Sequence, residues 1–153
     1  MADSHDNLRL VRAALDVFRA KGAEVILHAG DVVAPFAAKL LGAYERPVHA
    51  VYGNNDGERA GLAKAMDIAP GPREFELGGR KIVVAHDLAE ISDADAGSAD
   101  VIVTGHTHSP RVEQGRPFRI NPGETGGWLT GRATCAVLDT EKLEVELCEL
   151  GAP

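Results

Sequence analysis

Aromatic residues make up only 5% of this 153-residue chain, and cysteine occurs just twice. With so few rings, Val, Leu, Ile and Ala must fill the core. The lone thiols Cys135 and Cys148 exclude a disulfide-stapled scaffold and fit reduced side chains in a cytosolic protein. No apolar run approaches the ~18 residues of a membrane span, and no signal peptide is recognisable, so the sequence reads as soluble and cytoplasmic, with no membrane partner. Basic charge is also short. Sixteen Lys and Arg against 23 Asp and Glu leave a net charge of −7, which argues against a sequence-independent grip on nucleic acid. Anionic substrates stay open, because bound cations can supply positive charge locally. Internal repeats and low-complexity stretches are missing too. The length fits one domain over 1–153, large enough to bury a core without staples.

What is present alternates. "DNLRLVRAALDVFRAKG" places Leu8, Val11, Leu15 and Phe18 on one helical face, with Asp6 or Asn7 as N-cap and Gly22 as terminator. "EVILHAGD" predicts a strand from Glu24 to about His28, "VAPFAAKLLGAYE" a helix with Pro35 in its first turn, "PVHAVYGNND" a second strand and "GERAGLAKAMD" a short helix. Hairpins crowd the second half, with turns at Gly78-Gly79, around Gln114-Gly115 and near Thr140-Glu141, and "ADVIVTGHTH" adds another apolar strand. The alternation predicts an α/β fold.

Four apolar segments end in polar clusters: His28 to Asp31, Gly53 to Asp56, Ala85 to Asp87, and Gly105 to His108. Sites in open α/β sheets form beyond the carboxyl ends of strands, so these clusters can converge. With the opening "DSH", they offer seven candidate ligands: Asp3, His5, Asp31, Asn54, His86, His106 and His108. Seven nitrogen and oxygen donors exceed the needs of one tetrahedral zinc and suit two divalent metals sharing a carboxylate. Mixed donors without thiolate fit Mn, Fe, Zn, Ni or Co better than a plain Ca or Mg site. His106 and His108, at i and i+2 on an extended strand, are expected to point to the same side.

Asp-x-His, Gly-Asp, Gly-Asn-x-Asp, a lone His and Gly-His-x-His, in that order over nearly the whole chain, resemble the signature of calcineurin-like metallophosphoesterases. The short length and the tail "INPGETGGWLTGRATCAVLDTEKLEVE" make it similar to the small YfcE-type phosphodiesterases. The resemblance implies a four-layer α/β/β/α sandwich with ligands at strand ends. It assigns Asp3, His5 and His108 to a first metal, Asn54, His86 and His106 to a second, and Asp31 as the bridge. Asp31, Asn54, His86 and His106 would then carry catalysis on a small-molecule phosphodiester. In that scheme two transition-metal ions, Mn favoured over Ni, Fe or Zn, activate a bridging hydroxide and clamp the phosphate oxygens. Asp56 would accept hydrogen bonds behind the ligands or form the turn.

Two departures from the family pattern matter. Many relatives carry His directly after Gly-Asn as proton donor to the leaving group. Asn55 stands there, so esters with basic leaving groups should react poorly. The family also runs a β-strand immediately before Asp-x-His. Only Met1 and Ala2 precede it here, so the fold is expected to lack its first strand, through a late start or a truncation, and to hold Asp3 and His5 less firmly than the other ligands.

His28 is a candidate support behind Asp31, and His49 reads as a surface or satisfied sheet residue. "NPGETGG" lacks the Lys of a P-loop and reads as a structural turn at the rim of the site. The segment "GGWL" around Trp128 and the apolar strand edges would suit a dimer. A competing reading is a catalytically weak scaffold, since the retromer subunit of eukaryotes resembles this fold. A third is a metal-binding or nucleotide-sensing protein without turnover.

Overall fold

A computed structural model describes residues 1–152. Its strands are β1 (Ile26–His28), β2 (Val48–Val51), β3 (Asp67–Ala69), β4 (Arg73–Leu77), β5 (Arg80–Val84), β6 (Val101–Val103), β7 (Arg111–Glu113), β8 (Phe118–Asn121), β9 (Thr134–Asp139) and β10 (Glu144–Glu149). Its helices are α1 (Leu8–Ala20), α2 (Pro35–Gly42), α3 (Arg59–Ala65) and α4 (Asp93–Ser98). Parallel strands β1-β2-β3 form one sheet, and β4-β5-β6-β8-β7 form a mixed five-stranded sheet. The hairpin β9-β10 is hydrogen-bonded to neither.

Three apolar clusters separate four layers. Leu10, Val11, Leu15 and Phe18 of α1 join residues of α2 and α3 over β1 and β2, together with Ala133 and Cys135. Val51, Ile82, Val101, Phe118 and Ile120 pack between the sheets. Val83 and Ile102 face outward towards Ala96 of α4 and Ala99. The order is α/β/β/α, as the resemblance implies. Buried residues on both faces explain why β6 and the Ile82–Val84 end of β5 read as unbroken apolar runs. Among the described residues no helix is long and apolar enough to cross a membrane.

Local chemistry sets the helix boundaries. The Asn7 side chain caps α1 by accepting from the Leu10 N–H at 3.4 Å, and Pro35 occupies the first turn of α2. The sequence reading missed β3 and α4. Both are short, and α4, "DADAGS", has no buried residue to supply a periodic signal. Its start rests on the capping box of Ser92 and Asp95. The last hairpin turns over 140–143, around the expected Thr140-Glu141.

No strand is assigned before α1, yet residues 1–3 lie alongside β1. The Met1 amino group donates to Leu27 O at 3.0 Å, Ala29 N–H to Met1 O at 2.9 Å, and Asp3 N–H to Gly30 O at 3.0 Å. On their far side, the Thr125 and Gly126 N–H groups donate to the Ala2 and Asp3 carbonyls, each at 2.9 Å.

Candidate metal centre

Loops at the carboxyl ends of β1, β2, β5 and β6 meet the residue 3–5 segment and bring all seven predicted ligands into one cluster. Their backbones are unusual. Asp3, His5, Asp31, His106 and His108 all have positive φ, between 40° and 67°. That region is costly for side chains other than glycine, and such outliers cluster at functional sites.

Asp3 and His5 are held more firmly than the short lead-in suggests. Asp3 is fully buried, and the His5 N–H donates to Asp31 O at 3.1 Å. Ligand atoms of Asp3, His5 and His108 lie within 4.8 Å of one another, as do those of Asp3, Asp31 and His86. The His5 and His108 rings stack at 5.3 Å. One Asp3 oxygen accepts the His106 N–H at 3.1 Å, while Asp3 Oδ1 and His5 Nε2 are buried without any hydrogen-bond partner. Orphaned lone pairs of this kind are expensive unless something binds them.

Asp31 sits at the middle. Its Oδ2 is 3.5 Å from His5 Nε2 and 3.6 Å from His86 Nε2. Asp56 fixes this loop as anticipated, its buried carboxylate accepting N–H bonds from Asp31, Val33 and Gly53. Asn55 adds backbone and side-chain N–H bonds to the Asp31 carboxylate, at 2.8 and 2.7 Å. Gly53 has to be glycine, because a Cβ there would stand 2.1 Å from Asp31 Oδ1.

On the other side, His86 Nδ1 lies 2.8 Å from the Ala29 carbonyl, which can only accept, so Nδ1 carries the proton and Nε2 keeps its lone pair. That Nε2 is 2.8 Å from Asn54 Oδ1, itself an acceptor, and His106 Nδ1 lies 3.1 Å from Asn54 Oδ1 and 3.3 Å from His86 Nε2. Lone-pair atoms converging this closely fit a cation between them.

Acid crowding shows in protonation. Burial, and next the Asp31 carboxylate, push the Asp3 carboxyl up to about 8. Burial alone would raise Glu124 too, but N–H bonds from Leu129 and Thr130, the Thr130 hydroxyl and nearby His108 hold it below the usual carboxylate range.

His106 and His108 do not share a strand face. β6 stops at Val103, and the two side chains part company, His106 towards Asn54 and His86, His108 towards Asp3. Positive φ at both residues, not alternation along a strand, sends one imidazole to each half. His28 is buried behind the site, its Nε2 3.0 Å from Ser4 Oγ, and burial keeps its pKa well below the ordinary value. His49 pairs with Asp67 at the sheet, away from the cluster. Two supports escaped the sequence reading. Glu124 is fully buried, with Oε1 3.4 Å from His108 Nδ1, and Asp87 Oδ2 lies 3.6 Å from His106 Nε2. An acid inside a Gly-rich turn carries no sequence mark of burial; for Asp87, adjacency to His86 was the available signal.

Residues 1–143 match the model of the calcineurin-like phosphoesterase superfamily domain. The chain belongs to the calcineurin-like phosphoesterase superfamily. The phosphoesterase is 35% identical to phosphodiesterase MJ0936 of Methanocaldococcus jannaschii, over 94% of this chain and 93% of that protein. Against phosphodiesterase YfcE of Escherichia coli K12 the identity is 29%, covering 94% and 88%. A solved archaeal phosphodiesterase superposes with a TM-score of 0.89 at 34% identity, covering 97% of this chain and 96% of that one. These likenesses make the protein a hydrolase of phosphate esters.

Proposed function

We propose that the phosphoesterase is a dinuclear, metal-dependent phosphodiesterase acting on small-molecule diesters. One observation carries this reading: Asp31 Oδ2 stands between His5 and His86, with Asp3 and His108 on one side and Asn54 and His106 on the other. Asp3, His5 and His108 would hold one ion, Asn54, His86 and His106 the second, and Asp31 both. The donor set is nitrogen and oxygen without thiolate, which suits divalent Mn, Fe, Ni or Zn, and of these we propose Mn. Orphaned Asp3 Oδ1 and His5 Nε2, and the 2.8 Å approach of Asn54 Oδ1 to His86 Nε2, support the fit. Cations bound there would supply an activated water at neutral pH and neutralise charge on the phosphate oxygens. Two relatives carry the name phosphodiesterase, which supports diesters as the substrates proposed here.

The chain's own residues orient this centre. Asn55 and Asp56 hold Asp31 from two directions, the Ala29 carbonyl fixes the His86 tautomer, and Glu124 faces the outer nitrogen of His108. No imidazole follows Asn54. The Asn55 amide cannot donate a proton to a departing alkoxide, so diesters with stable leaving groups are the better substrates.

The test is hydrolysis of bis(p-nitrophenyl) phosphate by metal-stripped protein reloaded with Mn²⁺ or Ni²⁺, beside chelator-treated protein and His106→Ala. Metal-dependent turnover lost in His106→Ala is the expected result. Turnover that survives both treatments, or none with any divalent transition metal, would overturn the reading.

A further inference from the structure

The turn between β8 and β9 brings the chain's single tryptophan to the rim of the metal centre. Trp128 donates its indole N–H to the His5 carbonyl at 3.0 Å. That carbonyl belongs to a proposed ligand of the first ion, whose ring stacks on that of His108. A Cβ at Gly126 would stand 3.1 Å from Trp128 Cδ1 and 2.8 Å from Ser4 O, so a bare glycine lets the pyrrole edge of the indole close on residues 4 and 5. With Cδ1 and Nε1 turned inward, the six-membered ring is what remains outside, and the residue is 60% exposed.

Bonds on both flanks fix this exposed ring. Before it, the Gly126 N–H donates to Asp3 O and the Asn7 side-chain amide donates to Gly126 O, each at 2.9 Å. After it, the buried Glu124 carboxylate accepts the Leu129 and Thr130 N–H groups and the Thr130 hydroxyl, and the Gly131 N–H donates to Gly127 O. A ring already held in place loses little freedom when a ligand lies against it. Its one polar atom is satisfied, so it offers a π-face and nothing else. Exposed Leu129 stands beside it, but two side chains fall far short of the roughly 20–30 residues that each side of a stable dimer supplies. The metal pair, for its part, would hold a phosphate whatever group is esterified to it. Recognition of that group falls to the rim.

We propose that Trp128 is a specificity-determining residue, stacking on a nucleobase, and that the substrates are therefore small nucleotide diesters; the inference rests on the dinuclear reading above. Every base has a π-face, so a tryptophan platform accepts bases without reading their edges. Ribose spaces the base from the phosphate, as the His5 backbone and side chain space Trp128 from the centre. A simple aryl ester, with its ring directly on a phosphate oxygen, lacks that spacer. A net charge of −7 disfavours a long nucleic-acid track and favours a small nucleotide.

The experiment titrates the Mn²⁺-reloaded full chain by calorimetry with adenosine monophosphate, ribose 5-phosphate and phenyl phosphate, which share a phosphate and differ in the ring. Trp128 emission is followed in parallel, referenced to the ligand-free loaded protein, and no other tryptophan contributes to it. Adenosine monophosphate is expected to bind at least about tenfold more tightly than ribose 5-phosphate and to quench the emission along the same isotherm. Trp128→Leu should erase that gain. Trp128→Phe, which loses the bond to His5 O but keeps a ring, should retain most of it. Equal binding of adenosine monophosphate and ribose 5-phosphate would overturn the proposal, as would a gain that survives Trp128→Leu. Both variants weakening all three ligands alike would make Trp128 purely structural and overturn it too. Equal gain by phenyl phosphate would overturn the nucleotide clause. Emission that changes with protein concentration, with dimers in sedimentation equilibrium, would assign the ring to a second copy and overturn the proposal. Ribose 5-phosphate binding with and without Mn²⁺ tests the metal centre separately, so the ring site can fail while the hydrolase reading stands, and the reverse.

Discussion

Glu124 places Oε1 3.4 Å from His108 Nδ1 while its carboxylate also accepts the Leu129 and Thr130 N–H groups. One buried acid therefore stands beside a predicted ligand, without a hydrogen bond to it, and holds the turn that carries Trp128, whose indole N–H donates to the His5 carbonyl at 3.0 Å. Carboxylates behind a ligating histidine are worth about 10- to 100-fold in metal affinity. Glu124→Ala should weaken Mn²⁺ binding at the Asp3/His5/His108 half by that factor in calorimetric titration and lower stability by about 2 kcal/mol in urea. Glu124→Gln should recover most of the stability and less of the affinity.

Gly53 presses directly on Asp31. In Gly53→Ala the added methyl must displace the Asp31 carboxylate, 2.1 Å from the ideal Cβ position. Activity should fall by at least about 100-fold, in line with misplacing a reacting group by an ångström. Metal analysis of the purified variant should find less than two equivalents bound.

Asn55 fills the place where a proton donor would stand, and its amide instead bonds Asp31 Oδ2 at 2.7 Å. Asn55→His should raise the rate on alkyl diesters relative to nitrophenyl diesters by about tenfold or more, since general acids help most where the leaving group is basic. Comparable turnover of both ester types by the unaltered protein would contradict the argument.

Protonation of the metal-free protein has a worked sign. Asp3 sits at about 8 when folded and 3.8 as a free carboxyl, so its contribution is fully present below 3.8 and is lost as pH rises through about 8. The Met1 amino group runs the other way, pushed by burial from 8.0 to about 6, so stability is regained between those values. Together they predict that chelator-treated protein loses on the order of 2–3 kcal/mol between pH 4 and 6 and then levels off to pH 8. Saturating Mn²⁺ should flatten the fall, as urea midpoints across that range would record.

Five of the seven candidate ligands, Asp31, Asn54, His86, His106 and His108, were legible because each follows an apolar strand and is a residue type with donor lone pairs; Asp3 and His5 were legible only from their Asp-x-His spacing. Asp56 was legible for the same reason, sitting two residues past Asn54. The hairpin at Gly78-Gly79 and the helix over "LRLVRAALDVF" followed from turn chemistry and period. Glu124 was not legible, because its burial comes from Leu129 and Thr130 folding back over it. Nor was the backbone route by which His106 and His108 reach the two halves that the resemblance assigns them, since it depends on positive φ at both residues rather than on their spacing. β3 was lost because three residues, only one of them buried, carry no period.

Side chains at Asp3, His5, Asp31, His106 and His108 occupy a backbone region that glycine enters freely and other L-residues enter at a cost of order 1 kcal/mol each. Glycine at any of them would remove that backbone cost together with the side chain that forms the site. A chain that keeps five strained residues at the mouth of its sheets has traded resilience for reactivity, and the sites of that trade are written in its torsion angles.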